Sequence, residues 1–445
     1  MISVVCVYNS EEILKNVLLK SLDTQTVKFE LITLDNRDNR YTSAAEALNY
    51  GGGKAKGEYI MFVHQDMWLG SNSWLDEVEK CLESIPDLGI AGVAGMIEEG
   101  RNWEEWVRRS LDACDEVWWG KSGRIEEPEE VQTLDECLLL VPSSVFNRLK
   151  FDEKTFDGWH LYGADYCLCV RELGLKAWVI PALSSHSSPA RNMKGLLKYQ
   201  RRLYAKHKMR TRHIHTYLGE ISFLELRFSL LRQLFKPLYF RLFPDLAITV
   251  RKALSGCSTV LDLGCGYNSP IAQSSIPFSV GVELFEPYLQ ESKRRGIHTQ
   301  YIKADVRRLE FQPRAFHAVI AIGILEHLTK EEGYELIRKM EEWASKKIVI
   351  TTPNGYLRQD TLACANNPLQ EHKSGWTTAE FRKLGFSVFG INGWRGLRGH
   401  KALMKYRQAF LWMRISELTQ KITYHYPKLA MQLLAVKRID QAIRR

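Results

Sequence analysis

The chain has 445 residues, 45% hydrophobic and 25% charged, which are ordinary globular values and enough length for two or three domains. No apolar run approaches the ~20 residues of a membrane-spanning helix, and Met1 leads directly into a predicted strand rather than a signal peptide. The net charge of +9 is local: residues 191–212 hold nine Lys/Arg and no acid, and residues 401–445 hold ten Lys/Arg against two acids. Such patches indicate anionic surface partners rather than a fold. We expect a cytoplasmic protein whose nine cysteines are reduced thiols.

Strands and helices alternate through the first 190 residues. Apolar segments predict strands at ISVVCVY, ELITLD, YIMFV, GIAGVAG, ECLLLVP and KAWVIP. Segments of helical period lie between them, including SEEILKNVLLKSL, WLDEVEKCLESI and GADYCLCVRELG. The alternation predicts an α/β domain with a mainly parallel sheet.

Polar residues follow three of these strands. The stretch VVCVYNSEEILKNVLLKSLDTQT, with LDNRDN and AKGEYIMFVHQDMWL after it, resembles the start of a family-two glycosyltransferase with a GT-A fold. The resemblance implies a nucleotide-sugar donor. Its binding residues would be Tyr8, Asn9, Asp35, His64 and Asp66.

The metal site of that family departs from its usual pattern here. An Asp-x-Asp at the strand end normally holds the divalent ion that bridges the donor diphosphate. This sequence has a histidine in place of the first acid, so the resemblance implies Mn²⁺ or Mg²⁺ held by Asp66, with His186 from a later strand. It also implies that Asp165, just inside a helix, is the base of an inverting transfer.

Residues 191–254 do not continue the alternation of strands and helices. LLKYQRRLYAKHKMRTRH and FLELRFSLLRQLFKPLYFRLF are basic, aromatic and helical in period, which predicts a helical connector rather than a sheet.

A second α/β run begins at VLDLGCG. Gly264 and Gly266 lie where a strand turns into a helix, so a ligand could approach the backbone closely. About twenty residues on, the strand SVGVEL ends in Glu283, where a carboxylate can bind ribose hydroxyls. A dinucleotide-binding domain or an inactive fold would show similar features.

Four elements in this order, ending in HAVIAIGILEHL, resemble class I S-adenosylmethionine-dependent methyltransferases. The resemblance implies cofactor binding by Asp262, Gly264, Gly266, Glu283, Asp305 and Glu326. The third glycine of the family's turn is Asn268 here, which loosens the methionine end of the cofactor site. NNPLQEHKSGW resembles methyltransferases found with glycan-assembly enzymes, and His372, less so His327, is a candidate base.

The sequence therefore predicts a glycosyltransferase domain at 1–190, a basic helical connector at 191–245, a Rossmann-like methyltransferase domain at 246–400 and a basic amphipathic helical tail at 401–445. We expect a bifunctional enzyme that glycosylates a glycan or lipid-linked acceptor and methylates the same glycan in cell-surface polysaccharide biosynthesis. No nucleic acid is expected as a partner.

Two other classes stay open. One is a nucleic-acid methyltransferase with an N-terminal binding domain, which the basic segments favour. The other is a non-catalytic envelope scaffold, which the altered Asp-x-Asp allows.

The tail predicts contact with the anionic inner face of a membrane. Its helical stripe would combine Leu403, Tyr406, Phe410, Met413 and Leu418 with Lys401, Lys405, Arg407, Arg414 and Lys421. A helix packed on its own domain is the other interpretation.

Overall fold

Two seven-stranded sheets organise the chain, one in the unit Met1–Gln233 and one in the unit Leu234–Arg445. The structure is a computed structural model, and it describes residues 1–100, 103–113, 123–186, 195–235, 239, 246–272, 274–357, 367–398, 404 and 409–439.

The N-terminal unit alternates strands and helices as predicted. Its strands are β1 Ile2–Tyr8, β2 Glu30–Asp35, β3 Tyr59–His64, β4 Met67–Leu69, β5 Leu88–Gly92, β6 Ala94–Met96, β7 Val107–Arg109, β8 Leu111–Ala113, β9 Glu129–Val131, β10 Thr133–Leu134, β11 Leu138–Pro142, β12 Lys176–Val179, β13 Ser184–His186, β14 His213–Thr216 and β15 Gly219–Ser222. Its helices are α1 Glu11–Leu14, which continues through a π-helical turn into α2 Lys20–Leu22, then α3 Ala44–Gly52, α4 Trp74–Ser84, α5 Trp103–Trp106, α6 Ser143–Arg148, α7 Tyr162–Glu172, α8 Leu196–His207 and α9 Phe223–Leu234.

The first sheet has the order β2-β1-β3-β11-β5-β12-β9. Strands β1, β2 and β3 are parallel, whereas β11 runs antiparallel to both of its neighbours, β3 and β5. The expected mainly parallel sheet is thus a mixed one.

Alternate residues of the central strands pack on opposite faces of this sheet. In β11, Leu139 and Val141 belong to one buried cluster, and Leu138 and Leu140 belong to the other. The period of two is that of a strand buried on both faces, and it gives the unit helical layers above and below the sheet.

Most of the predicted connector belongs to this unit. Helix α8 buries Tyr199 and Leu203 in the same cluster as α7, and residues 213–222 form the hairpin β14–β15 rather than a helix. Alternating HIHT and GEIS around a turn, with Gly219 at φ +119°, favour the hairpin. We therefore place the end of this unit at Gln233, beyond residue 190.

Seven strands lie in the described residues of the second unit. They are β16 Thr259–Leu263, β17 Phe278–Glu283, β18 Gln300–Lys303, β19 Phe316–Ile322, β20 Ala344–Pro353, β21 Ser387–Trp394 and β22 Ala430–Arg438. The described helices are α10 Leu246–Ala253, α11 Glu286–Arg294, α12 Lys330–Trp343, α13 Thr378–Lys383 and α14 Ala409–His425, with a 3₁₀ turn at Leu325–His327.

The order of this sheet is β18-β17-β16-β19-β20-β22-β21, and only β22 runs antiparallel to its neighbours. Leu433, Leu434 and Ala435 of β22 are buried between the two layers. The helical tail predicted for 401–445 is therefore wrong at 430–438, because the apolar run LAMQLLAV pairs with β20 and β21 inside the sheet.

Helix α14 is the helical part of the predicted tail. Met413, Leu418 and Lys421 lie in it, and Arg414 forms an ion pair with Glu417 at 2.7 Å. The structure does not describe the side chains of the other residues predicted for this stripe, which are Lys401, Leu403, Lys405, Tyr406, Arg407 and Phe410. Within the described residues, no helix combines the length and the hydropathy that crossing a bilayer requires.

Candidate active sites

Three adjacent parallel strands bring the first set of predicted residues together. Tyr8 at the end of β1 pairs with Asp35 at the end of β2, and Val7 pairs with His64 at the end of β3. Carboxyl ends of parallel strands meet at one edge of a sheet, which is where α/β proteins bind nucleotides.

Gln65, directly after β3, connects the ends of β1 and β3 through hydrogen bonds. Its Oε1 accepts hydrogen bonds from the backbone N–H groups of Asn9 and Ser10 at 3.0 and 2.9 Å, and its Nε2 donates to Asn9 Oδ1 at 2.8 Å. The middle residue of His-Gln-Asp thus orients the Tyr-Asn turn, a role that the sequence did not suggest.

Asp35 faces a cation of its own chain. Arg37 Nε donates to Asp35 Oδ1 at 3.0 Å, and a second guanidinium nitrogen of Arg37 binds Glu11 at 2.8 Å. The hydrogen bond from Arg37 holds the pKa of Asp35 well below its usual range. A donor base that binds Asp35 would therefore compete with Arg37, whose guanidinium also lies 5.8 Å from the centre of the Tyr8 ring.

His64, Asp66 and His186 converge as a possible metal site. Their ligand atoms lie within 4.8 Å of one another, and His186 Nε2 is 3.2 Å from Asp66 Oδ1. Strand β13 makes this possible, because its pairing with β4 sets His186 opposite Met67. Burial lowers the pKa of His64, and the charge of His186 lowers it further.

The donor set of this group fits a divalent cation. Burial raises the pKa of Asp66, but the hydrogen bond from His186 and the charges of both histidines outweigh it, so the pKa lies below its usual value. Two imidazoles and one ionised carboxylate favour a transition-metal ion such as Mn²⁺ over Mg²⁺, which prefers oxygen ligands.

Asp165 is not an open carboxylate. Its side chain is 3% exposed; Oδ2 accepts from Lys206 Nζ at 2.8 Å, and Oδ1 lies 2.8 Å from His207 Nε2. Burial lowers the pKa of Lys206, but the charge of Asp165 and the hydrogen bonds to Asp152 and Asp165 together outweigh burial, so the pKa lies above its usual value. In this conformation Asp165 ties α7 to α8, and its predicted role as a base requires a partner to release an oxygen.

Sequence reasoning missed two consecutive acids, Asp135 and Glu136, of which Asp135 lies near the metal group. Asp135 lies near enough to His64 for its charge to raise the pKa of that imidazole against the effect of burial. Burial raises the pKa of Glu136 to about 8, although its Oε1 accepts a hydrogen bond from Gly163 N at 2.9 Å. Two consecutive acids directly before the buried strand LLLVP were the available signal.

The glycine turn of the second unit holds its predicted carboxylate. Gly264 and Gly266 have φ of +63° and +56°. Glu283 Oε2 accepts from Gly266 N at 3.0 Å, and Oε1 accepts from Phe285 N at 2.8 Å. Burial raises the pKa of Glu283. Glu283 therefore links the end of β17 to the turn after β16, where ribose hydroxyls would reach it.

Asp262 and Asp305 are placed differently. Asp262 is buried, accepts from Ser269 Oγ at 2.5 Å and lies 3.0 Å from His298 Nε2, so it supports the glycine turn from beneath. Asp305, two residues after β18, caps a 3₁₀ turn and binds Arg307, which holds its pKa below the usual value.

Glu326, His327 and His372 form a second compact group. The 3₁₀ turn after β19 carries the first two, and His372 comes from the loop before α13. Their ligand atoms lie within 4.8 Å of one another, and the two imidazole centres are 4.9 Å apart. The sequence predicted each residue singly but gave no sign that they meet.

Family comparisons agree with this division. Residues 2–215 match the family described as "Glycosyltransferase like family", and residues 260–347 match the family described as "Methyltransferase domain". The chain carries a glycosyltransferase-like domain and a methyltransferase domain. Both families are families of transferases. The two matches confirm the two resemblances and the α/β fold class.

Individual relatives share only part of the chain. "ATP synthase subunits region ORF 6" of Fuscovulum blasticum is 32% identical over 158 residues, which are 34% of this chain and 61% of the relative, less than two thirds of its length. A solved S-adenosylmethionine-dependent methyltransferase of Archaeoglobus fulgidus is 19% identical and covers 46% of this chain and 99% of its own, with a TM-score of 0.29. Magnesium protoporphyrin IX methyltransferase of Synechocystis is 15% identical and covers 48% and 99%, with a TM-score of 0.29.

Proposed function

We propose that this chain is a bifunctional transferase. It transfers a sugar from a nucleotide-sugar donor to a glycan or lipid-linked glycan and O-methylates the same glycan with S-adenosylmethionine, in cell-surface polysaccharide biosynthesis. The observation that carries the proposal is that each matched domain has a polar cluster at the carboxyl end of its own sheet, one around Asp66 and one around Glu283.

Glycosyl transfer needs a diphosphate site and a base. A divalent cation held by His64, Asp66 and His186 would neutralise charge on the donor diphosphate. Tyr8, Asn9 and Asp35 lie at the ends of the neighbouring strands and would contact the nucleoside. Asp165 is the proposed base, provided that Lys206 or His207 releases one of its oxygens.

Methyl transfer needs a cofactor held rigidly beside the acceptor. The positive φ of Gly264 and Gly266 allows the cofactor to approach the backbone, Glu283 would accept from its ribose hydroxyls, and Asp305 would contact its adenine. His372 would position the acceptor hydroxyl or take its proton.

Tethering explains why the two activities share a chain. A glycan that is still bound to the first domain meets the second at an effective concentration set by the linkage rather than by diffusion from solution.

Peripheral contact with an anionic membrane surface is part of the proposal. Leu418 and Ile422 of α14 are 61% and 59% exposed, and Lys421 between them is exposed as well. Apolar and cationic side chains together on one helix suit the headgroup region, where lipid-linked acceptors lie.

Product analysis tests the proposal. The full chain is incubated with a lipid-linked glycan acceptor and UDP- and GDP-sugars, with and without Mn²⁺ or Mg²⁺, and with S-adenosylmethionine labelled in its methyl group. We expect slow hydrolysis of one sugar nucleotide, and label in an acceptor glycan that the first domain has extended. Absence of hydrolysis across the donor panel would contradict the glycosyltransferase half, and absence of label in any glycan would contradict the methyltransferase half.

A further inference from the structure

The backbone holds Glu326, His327 and His372 in fixed positions. Lys373 N and Ser374 N both donate to the carbonyl oxygen of Glu326, at 2.7 and 3.1 Å, so the loop that carries His372 is fastened to the turn that carries the other two. All three ligand atoms lie within 4.8 Å of one another, close enough for one ion to reach them.

In both imidazoles, Nδ1 is the nitrogen that faces a backbone carbonyl oxygen. His327 Nδ1 lies 3.1 Å from the carbonyl oxygen of Glu371, and His372 Nδ1 lies 2.7 Å from that of Leu357. A carbonyl oxygen only accepts, so each Nδ1 carries the proton and each Nε2 keeps a free electron pair. This is the second hydrogen bond that metal-binding histidines characteristically make.

Glu326 has a buried carboxylate group that could bind a cation. Its side chain is buried, with the residue 5% exposed, and across the part of the chain that the structure describes no hydrogen bond reaches its Oε2 atom. A buried carboxylate oxygen without a partner is costly, and a bound cation would offset that cost.

We propose that Glu326 and the Nε2 atoms of His327 and His372 bind a divalent transition-metal ion that orients the hydroxyl group to be methylated. The site lies next to the glycine turn, because the side chain of Ile324, two residues before Glu326, lies against Gly264. Two imidazoles and one carboxylate suit Zn²⁺, Mn²⁺, Co²⁺ or Fe²⁺ and leave coordination positions for substrate oxygens. The substrate part rests on the methyl transfer proposed above.

A metal ion at this site suits a hydroxyl group as the acceptor of the methyl group. A metal-bound hydroxyl has a lowered pKa, so it gives its proton to solvent water and becomes an alkoxide. That oxygen attacks the methyl carbon, the carbon–sulfur bond breaks with its electron pair going to sulfur, and the O–CH₃ bond forms. The products are a methyl ether, S-adenosylhomocysteine and one proton. His372 and Glu326 then act as ligands, in place of the base and cofactor-binding roles that the sequence suggested.

Cobalt binding tests the site directly. The full chain with Asp66→Ala and His186→Ala, which removes the N-terminal group, serves as the parent and is titrated with Co²⁺ while visible absorption and calorimetric heat are recorded. We expect one equivalent of Co²⁺ in the parent. Glu326→Gln and His372→Ala should each weaken binding more than 100-fold, whereas His425→Ala, at an exposed histidine of the same unit, should leave it unchanged.

Binding of S-adenosylhomocysteine to each variant checks that the unit is folded. A parent that binds no stoichiometric Co²⁺, or folded variants that bind it as the parent does, would overturn the metal site. Co²⁺ binding in a chain that binds neither S-adenosylmethionine nor its product would support the site and overturn the proposed methyl transfer instead.

Discussion

At the scale of residues, the two sites share one feature, an aspartate that is bound by a nearby arginine. Asp35 ends β2 and Asp305 lies two residues after β18, and each is bound by the arginine two positions later, Arg37 or Arg307. The guanidinium lowers the pKa of each carboxyl, which favours its ionised form. We expect ligands to exchange with these arginines rather than to meet bare carboxylates.

Substitution of Asp165 separates structure from catalysis. Asp165→Asn removes the buried carboxylate that binds Lys206 and His207 and leaves Lys206 with Asp152 alone, so we expect a loss of about 1–3 kcal/mol in the free energy of unfolding. Asp152→Asn is the matched control, because Asp152 also binds Lys206 at 2.8 Å but is more exposed. Urea unfolding measures both variants, and equal stability of Asp165→Asn and the wild type would contradict the buried network.

Glu136 gives a pH-dependent prediction. Its pKa of about 8 lies above the usual 4.5, so the folded state binds its proton more tightly than the unfolded state does. The stability it contributes is complete below about pH 4.5 and falls as the pH rises through 8. Glu136→Gln keeps an acceptor for Gly163 N and should be the more stable protein at pH 9, with little difference at pH 4.5. Urea midpoints at the two pH values measure this, and a less stable variant at pH 9 would contradict it.

At the scale of elements, the turn between β16 and the following residues demands glycine at one position. A Cβ on Gly264 would lie 1.9 Å from Ile324 Cδ1, whereas a Cβ on Gly256 meets nothing within 4 Å although its φ is +79°. Gly256→Ala should cost about 1–2 kcal/mol of stability from left-handed backbone alone. Gly264→Ala should in addition weaken S-adenosylmethionine binding by tenfold or more. Calorimetry compares the two, and unchanged cofactor affinity in Gly264→Ala would contradict the turn's role.

Helix α14 should be tested by substitution rather than truncation. A chain ending at residue 400 loses β22 from inside the sheet and with it buried leucines worth about 2–5 kcal/mol each. Leu418→Glu with Ile422→Glu instead changes only exposed side chains. We expect reduced binding to anionic liposomes at low salt, with S-adenosylmethionine binding intact.

Leu31→Glu, at an exposed leucine of β2, is the control for that experiment and should bind liposomes as the wild type does. Wild-type protein that ignores anionic liposomes at low salt would remove membrane contact from the proposal.

Local patterns predicted most elements but not their long-range partners. The strands β1, β2, β3, β16 and β17 carry continuous apolar runs, so their positions were readable from the sequence. The strand β22 was not, because a short apolar run suits a helix or a strand equally and only its pairing with β20 and β21 decides. In the same way, no local pattern indicates that His372 reaches Glu326, and only the family resemblance suggested that His186 lies with Asp66.

At the scale of the whole molecule, the central claim is that two units on one chain bind two different ligands independently. Titration calorimetry of the full chain with S-adenosylmethionine, and separately with the sugar nucleotide that it hydrolyses plus Mn²⁺, tests this most directly. Glu283→Ala removes charge-assisted hydrogen bonds worth about 1.5–3 kcal/mol, so the Kd for S-adenosylmethionine should rise roughly 10- to 150-fold while sugar-nucleotide binding is unchanged. Asp66→Ala should do the reverse. Loss of both ligands from either single substitution, or of neither, would contradict the account.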